Sequence, residues 1–172
     1  MRFEVVDSEC PRCVAALATG PIDARAAERL TAWLESLPPE RRPKSLELRS
    51  GGGHLMGALR LGRAIREAGL ETRVTSRPGC RSACTYAFLG GVTRQAEPGT
   101  LAVHAASIGS PAGGPALDLP PSARRIVAAI LSAYVEEMGA NAALVEIAFA
   151  TPPGTLKRLD RRDLAALGIL LR

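Results

Sequence analysis

Ser82 and His104 are the two residues of this 172-residue chain whose settings best suit covalent chemistry. Ser82 sits in Gly79-Cys80-Arg81-Ser82-Ala83-Cys84, after a turn and at the mouth of a short apolar helix that Gly90-Gly91 closes. Backbone N–H groups beside a hydroxyl in that position would stabilise negative charge developing next to it. Serine is a weak nucleophile until a base comes within hydrogen-bond reach. His104, at the end of Leu101-Ala102-Val103-His104, is one of only two histidines and so one of few candidates for that base. Both residues also have ordinary structural readings, since serine is among the commonest helix N-caps and a lone histidine at a strand end often serves packing alone. A third feature is Ser50-Gly51-Gly52-Gly53-His54, a glycine loop between a strand and a helix that can present bare N–H groups to an anion. It lacks both the Gly-Lys-Ser/Thr of a phosphate loop and the Gly-x-Gly-x-x-Gly of a dinucleotide site, which leaves an oxyanion hole or a plain tight turn. His54 caps the helix or faces water.

The four cysteines fall in two pairs, Cys10/Cys13 and Cys80/Cys84. The first pair lies in a turn with no helix after it, where a redox dithiol is not expected. Together the pairs could form a four-sulfur zinc site, although Cys80-x3-Cys84 departs from zinc-knuckle spacing. Were Cys80 and Cys84 both helical, their Cα atoms would be about 6.2 Å apart with parallel Cβ directions, too far for a bond. A disulfide therefore requires Cys80 to lie outside the helix, in the turn after Gly79, folded back over Ser82. Free buried thiols are the leading expectation, with a disulfide and zinc as alternatives.

The elements that must position these groups follow from periodicity. Arg2 to Val6 alternates and Val14 to Ala18 is an apolar run, giving strand, turn and buried strand. Asp23 is expected to cap a helix whose stripe is Ala26/Ala27, Leu30, Trp33/Leu34 and Leu37, ended by Pro38-Pro39. Ser45 to Arg49 is a strand parallel to the previous one. Leu55, Leu59, Gly62 and Ile65 mark a second helix, stopped at Gly69, and Leu70 to Thr75 is the next strand. The glycine loop, Ser82 and His104 are expected at carboxyl ends of successive strands of one sheet, where open α/β folds gather their sites. Ile108 to Pro121 reads as a surface loop or lid. Ser122 is expected to cap a long helix with Ile126/Val127, Ile130/Leu131, Tyr134 and Met138 as its stripe; Asn141 starts a short helix, and Asp160 caps a last one with Asp163 three residues on.

Composition narrows the function classes. With 47% hydrophobic residues the chain can bury one sizeable core, so a single domain over 1–172 is expected. The net charge of +5 is spread over helix faces, and 3% aromatic residues leave little to stack on bases, which argues against nucleic acid as a partner. No apolar run approaches the ~18 residues of a membrane span, and Met1-Arg2-Phe3-Glu4 has neither a basic n-region nor an apolar h-region. The expected location is the cytoplasm, or the periplasm if a leader has been removed.

Ser50-Gly51-Gly52-Gly53, Cys80-Arg81-Ser82-Ala83-Cys84 and Val103-His104, in this order and spacing, resemble the proteolytic subunit of the Clp protease and the wider Clp/crotonase superfamily. The likeness covers residues 13–171, with 1–12 an N-terminal strand and turn. It is nearest to a bacterial branch with a Cys-x-Ser-Ala-Cys signature, whose members often carry an export leader. The resemblance implies an α/β fold of the Clp/crotonase type, a mostly parallel sheet flanked by helices. It further implies that Ser82 attacks a carbonyl, that His104 takes its proton, and that the N–H groups of Gly53 and Ala83 hold the oxyanion. Family peptidases carry an Asp before the final helix; matching on Gly168 puts Leu156 there, and Asp118, Asp160 and Asp163 are the substitutes to weigh. The function expected is that of a serine hydrolase acting on peptides or unfolded polypeptide, without a cofactor and as a homo-oligomer. The alternatives are a catalytically silent Clp-like protein that binds peptides or partners, and a cysteine-held zinc module.

Overall fold

The computed structural model describes residues 1–6, 14–108 and 117–171; Cys10, Cys13 and most of the loop expected before Pro121 lie outside the described residues. Strand β1 (Arg2–Val6) runs antiparallel to β2 (Ala15–Thr19), pairing Arg2 with Thr19 and Val6 with Ala15. Helix α1 (Ala26–Ser36) then crosses to β3 (Ser45–Arg49), which lies parallel to β2 as the crossover length requires. The apolar side of α1 buries Ala26 and Leu30, while Trp33 stacks on Phe3 of β1 at 5.7 Å. Its N-cap is Arg25 rather than Asp23, because the Asp23 carboxylate receives the Arg25 N–H and the Arg29 guanidinium. Helix α2 (Leu55–Glu67) buries Ala58, Leu59, Leu61 and Ile65, and Gly69 with φ +66° turns the chain into β4 (Glu71–Val74).

The next strand is not a continuation of that sheet. After Arg77-Pro78-Gly79 the chain re-enters as the short strand β5 (Cys80–Arg81), followed by α3 (Ala83–Phe88), β6 (Arg94–Ala96) and β7 (Leu101–Val103). One sheet has the order β1-β2-β3-β4-β6, and a second joins β5 to β7 in parallel and β7 to β10 (Lys157–Arg158) in antiparallel. The single sheet expected for the glycine loop, Ser82 and His104 is therefore two. They are stitched where Ser50 extends β3 and pairs with Cys80: Ser50 N donates to Gly79 O at 3.1 Å and Arg81 N to Ser50 O at 2.9 Å. The three features consequently follow neighbouring strands after all, at the junction of the sheets.

Beyond β7, β8 (Ser107–Ile108) pairs with β9 (Leu117–Asp118), so the ends of the expected loop form a hairpin. Helix α4 (Pro121–Glu137) begins at Pro121 with Pro120 as N-cap, which places Ser122 inside the first turn and not at the cap. Its core side is Leu131, Tyr134 and Met138; Ile126 and Ile130 are exposed. The Tyr134 hydroxyl donates to the Tyr86 carbonyl at 2.9 Å, tying α4 to α3, and the Arg63 guanidinium grips Glu137 at 2.6 and 2.9 Å. Helix α5 (Ala143–Ala150) follows an Asn141 side chain that receives the Ala143 N–H, and α6 (Arg161–Ala166) starts with the Asp160/Asp163 capping box that the spacing predicted.

Arg94 is the largest of the fully buried side chains, and it has no carboxylate partner among the described residues. It donates instead to Leu89 O at 3.0 Å, Met138 O at 2.8 Å and Gly168 O at 3.3 Å, the carbonyls that terminate α3, α4 and α6. Helix carboxyl ends carry partial negative charge, so a guanidinium among three of them is compensated. Burial and the neighbouring Arg66 push its pKa down to about 10, which leaves it a cation at neutral pH.

Candidate functional site

The glycine loop is built by one buried hydroxyl and one isolated bridge. Ser50 Oγ donates to Gly20 O at 2.7 Å and accepts from Gly52 N at 3.1 Å, which turns the chain sharply after β3. Ile22 N donates to Gly52 O at 2.8 Å and His54 N to Ile22 O at 2.7 Å, the two bonds of a parallel bridge between Ile22 and Gly53. In such a bridge the central residue's own N–H faces away from its partner strand, so the Gly53 N–H points off the far side. Gly52 and Gly53 have φ of +101° and +139°, conformations that side chains rarely adopt. A Cβ on Gly52 would fall 2.8 Å from Arg81 O and 2.9 Å from Ser82 Cβ, so the loop lies against the serine turn.

Ser82 does not cap its helix. It has φ 55° and ψ −128°, the one positive φ among described non-glycine residues, and its side chain makes no capping hydrogen bond. Backbone contacts hold it there: Ser82 N donates to Ala102 O at 2.8 Å and Thr85 N to Ser82 O at 3.0 Å. The buried Thr85 hydroxyl adds a bond to Ala102 O at 3.0 Å. Ser82 thus stands at the N-cap position of α3 in a sparsely populated conformation, at a strand-to-helix turn and without a side-chain cap bond, a geometry that leaves its hydroxyl available for chemistry.

Cys80 and Cys84 are bonded to each other, with Cα atoms 5.2 Å apart. This replaces the expected free thiols, and the reason is the one geometry demanded: Cys80 is in β5, outside the helix, and the bond closes over the serine turn. Two sulfurs bonded to one another are not thiolate ligands, so this pair is not half of a zinc site.

Ser82, Ala83, Gly53 and His104 line one cavity of about 340 Å³. Neither the Gly53 nor the Ala83 N–H has a backbone acceptor among the described residues. His104 is half-buried just beyond β7, and its Nδ1 is 2.8 Å from Ala105 O. A carbonyl oxygen only accepts, so in the neutral ring Nδ1 carries the proton and Nε2 the lone pair. No hydrogen bond joins Ser82 Oγ to His104 among the described residues; such contacts are commonly long before substrate arrives. His54 also lines the cavity, and its Nδ1 accepts the Gly57 N–H at 2.9 Å as the N-cap of α2.

The acidic candidates are elsewhere. Asp160 and Asp163 cap α6, Asp163 also binds Lys157 Nζ at 3.0 Å, and Asp118 is exposed on β9. Among the described residues no carboxylate lines the cavity, whose remaining wall is apolar apart from Ser107: Leu55, Tyr86, Leu119, Val127 and Leu131 are its larger members. Burial pushes the Tyr86 phenol well above its usual range, so it stays neutral. Tyr86 went unmarked in the sequence, although its place four residues after Ser82 puts it on the same helical face. Thr85 carried no comparable signal.

No protein-family model and no curated protein sequence matches the chain. Among solved structures, the 1510-N membrane-bound stomatin-specific protease, in a variant with serine replaced by alanine, superposes with a TM-score of 0.66 at 16% identity, over 91% of this chain and 75% of that one. A second variant of that protease, with lysine replaced by alanine and in complex with a substrate peptide, gives a TM-score of 0.66 at 16% identity over 91% of this chain and 71% of that one. The chain thus shares the Clp-like α/β fold of this protease, with a central, mostly parallel sheet flanked by helices.

Proposed function

We propose that the protein is a serine hydrolase that cleaves peptide bonds in peptides or unfolded polypeptide. The observation that carries this reading is the turn at Ser82: φ 55° with no side-chain cap bond, in a cavity that His104, Gly53 and Ala83 also line. Ser82 Oγ attacks the carbonyl carbon and passes its proton to His104 Nε2. The C–O π pair moves onto the carbonyl oxygen, which the Gly53 and Ala83 N–H groups receive. His104, now protonated on both nitrogens, gives the Nε2 proton to the leaving amine as the acyl bond to Ser82 is completed, and water repeats the sequence to release the acid. The structural neighbours were studied as serine and lysine variants, but the two lysines here, Lys44 and Lys157, do not line the cavity, which favours His104 as base.

That no carboxylate lines the cavity among the described residues favours a slow enzyme, and sustains the second reading of a silent peptide-binding protein. A fluorophosphonate probe separates the two. Labelling is expected on Ser82, abolished in Ser82→Ala and reduced by a large factor in His104→Ala; wild-type protein that takes up no label would leave the binding reading. A homo-oligomer is also proposed, on the exposed Ile126 and Ile130 of α4. Light scattering showing only an 18.0 kDa species at high concentration would remove it. The Cys80–Cys84 bond supports an oxidising compartment, hence the periplasm over the cytoplasm.

A further inference from the structure

His104 as a base needs something to hold its ring. β10 pairs antiparallel with β7, Arg158 opposite Ala102 and Lys157 opposite Val103, and the pairing ends there: beyond it Ala105 N donates to Thr151 O and Thr155 N turns back to Pro152 O. The ring turns to its own backbone: Nδ1 donates to Ala105 O at 2.8 Å. Ala105 is buried, and its N–H is bonded to Thr151 O at 2.8 Å, where the chain leaves α5. That bond anchors the His104–Ala105 peptide, the one immediately before the accepting carbonyl.

We propose that the Ala105 carbonyl is the orienting third member of the site. A carbonyl can hold the imidazole in the tautomer with a free Nε2 lone pair, as the reaction needs. It carries only a partial charge, and so stabilises the imidazolium less than a carboxylate would. The inference rests on His104 as the base, but its test does not depend on turnover. Among the described residues the titratable and charged groups on the elements around His104 are His54 across the cavity, Tyr86 on α3, Lys157 and Arg158 on β10, and Asp118 on β9, opposite the cavity-lining Ser107.

The two histidines have opposite backbone partners, which supplies an internal control. His54 Nδ1 accepts from Gly57 N, so its proton belongs on Nε2; His104 Nδ1 donates, so its proton belongs on Nδ1. In protein labelled with ¹⁵N-histidine, long-range ¹H–¹⁵N spectra above the imidazole titration range read these tautomers directly, and His104→Ala assigns the signals. The expected result is a pyridine-like Nε2 for His104 and a pyridine-like Nδ1 for His54. A His104 protonated on Nε2, or exchanging between tautomers, overturns the proposal. If the tautomers are as stated and Ser82 still takes no label, the Ala105 assignment stands and the hydrolase reading falls.

Discussion

Gly52→Ala tests whether the glycine loop and the serine turn work as one unit. Two costs arise at that position. A side chain at φ +101° is a strained L-residue, costing about 1–2 kcal/mol. The new methyl would also lie 2.8 Å from Arg81 O, 2.9 Å from Ser82 Cβ and 3.1 Å from Ala83 N. These are backbone or near-backbone atoms with no rotamer to escape into, so overpacking of about 1–3 kcal/mol is expected. The sum, about 2–5 kcal/mol, is relieved only by moving the loop and the serine turn apart. Restoring ordinary contact, about 3.5 Å between carbons, takes roughly half an ångström. Mispositioning on this scale approaches the 1 Å that costs about 10²-fold in rate. Gly69→Ala is the control, because Gly69 has φ +66° and open space where its Cβ would be, so it should lose about 1–2 kcal/mol from strain alone and keep its reactivity. Urea denaturation and the rate of fluorophosphonate labelling measure both quantities in both variants. A Gly52→Ala protein that labels at the wild-type rate, with no more destabilisation than Gly69→Ala, would refute the argument.

The strain at Ser82 makes a prediction of opposite sign. Ser82→Gly should unfold at higher urea than wild type by about 1–3 kcal/mol while losing all labelling, since glycine relieves the backbone that φ 55° loads; a less stable glycine variant would mean that the serine side chain makes an undetected contact. The disulfide closes a loop with a sequence separation of 4, and chain-entropy reasoning gives about 2 kcal/mol for so short a loop. The double variant Cys80→Ser, Cys84→Ser should lose about that much stability and should label more slowly, because the bond spans the serine turn. An unchanged denaturation midpoint and labelling rate would reduce it to a bystander.

What could be read from sequence divides by how local its cause is. Helices α1 and α2 were legible because each stripe of apolar residues alone dictates a buried face. The Asp160/Asp163 box was legible because both members of the interaction lie within one turn. Asp23 and Ser122 misled for the matching reason: the types favour a cap, but Arg29 draws the first carboxylate away and Pro121 moves the second helix start upstream. Strands β5 and β6, of 2 and 3 residues, are too short to show a period, which is why the expected single sheet became two.

Arg94 was illegible on other grounds. Buried arginines are sought beside carboxylates, whereas its partners are carbonyls from three helix ends far apart in sequence, at Leu89, Met138 and Gly168. The same limit applies at the site itself. Ser82, His104 and Gly53 could be named because their chemistry resides in residue types. The conformation of Ser82 is imposed from outside by Ala102 and the glycine loop, and no residue letter records it. A search for the third member by type can only find acids, and every acid it proposed here is engaged elsewhere or exposed: Asp160 and Asp163 at the cap of α6, Asp118 on the hairpin. If the orienting group is the carbonyl of Ala105, its identity is independent of the alanine side chain. It depends on the course of the chain after β7, where Thr151 holds the adjoining His104–Ala105 peptide, so it is a property of the fold that becomes visible only when β7 and the end of α5 are seen side by side.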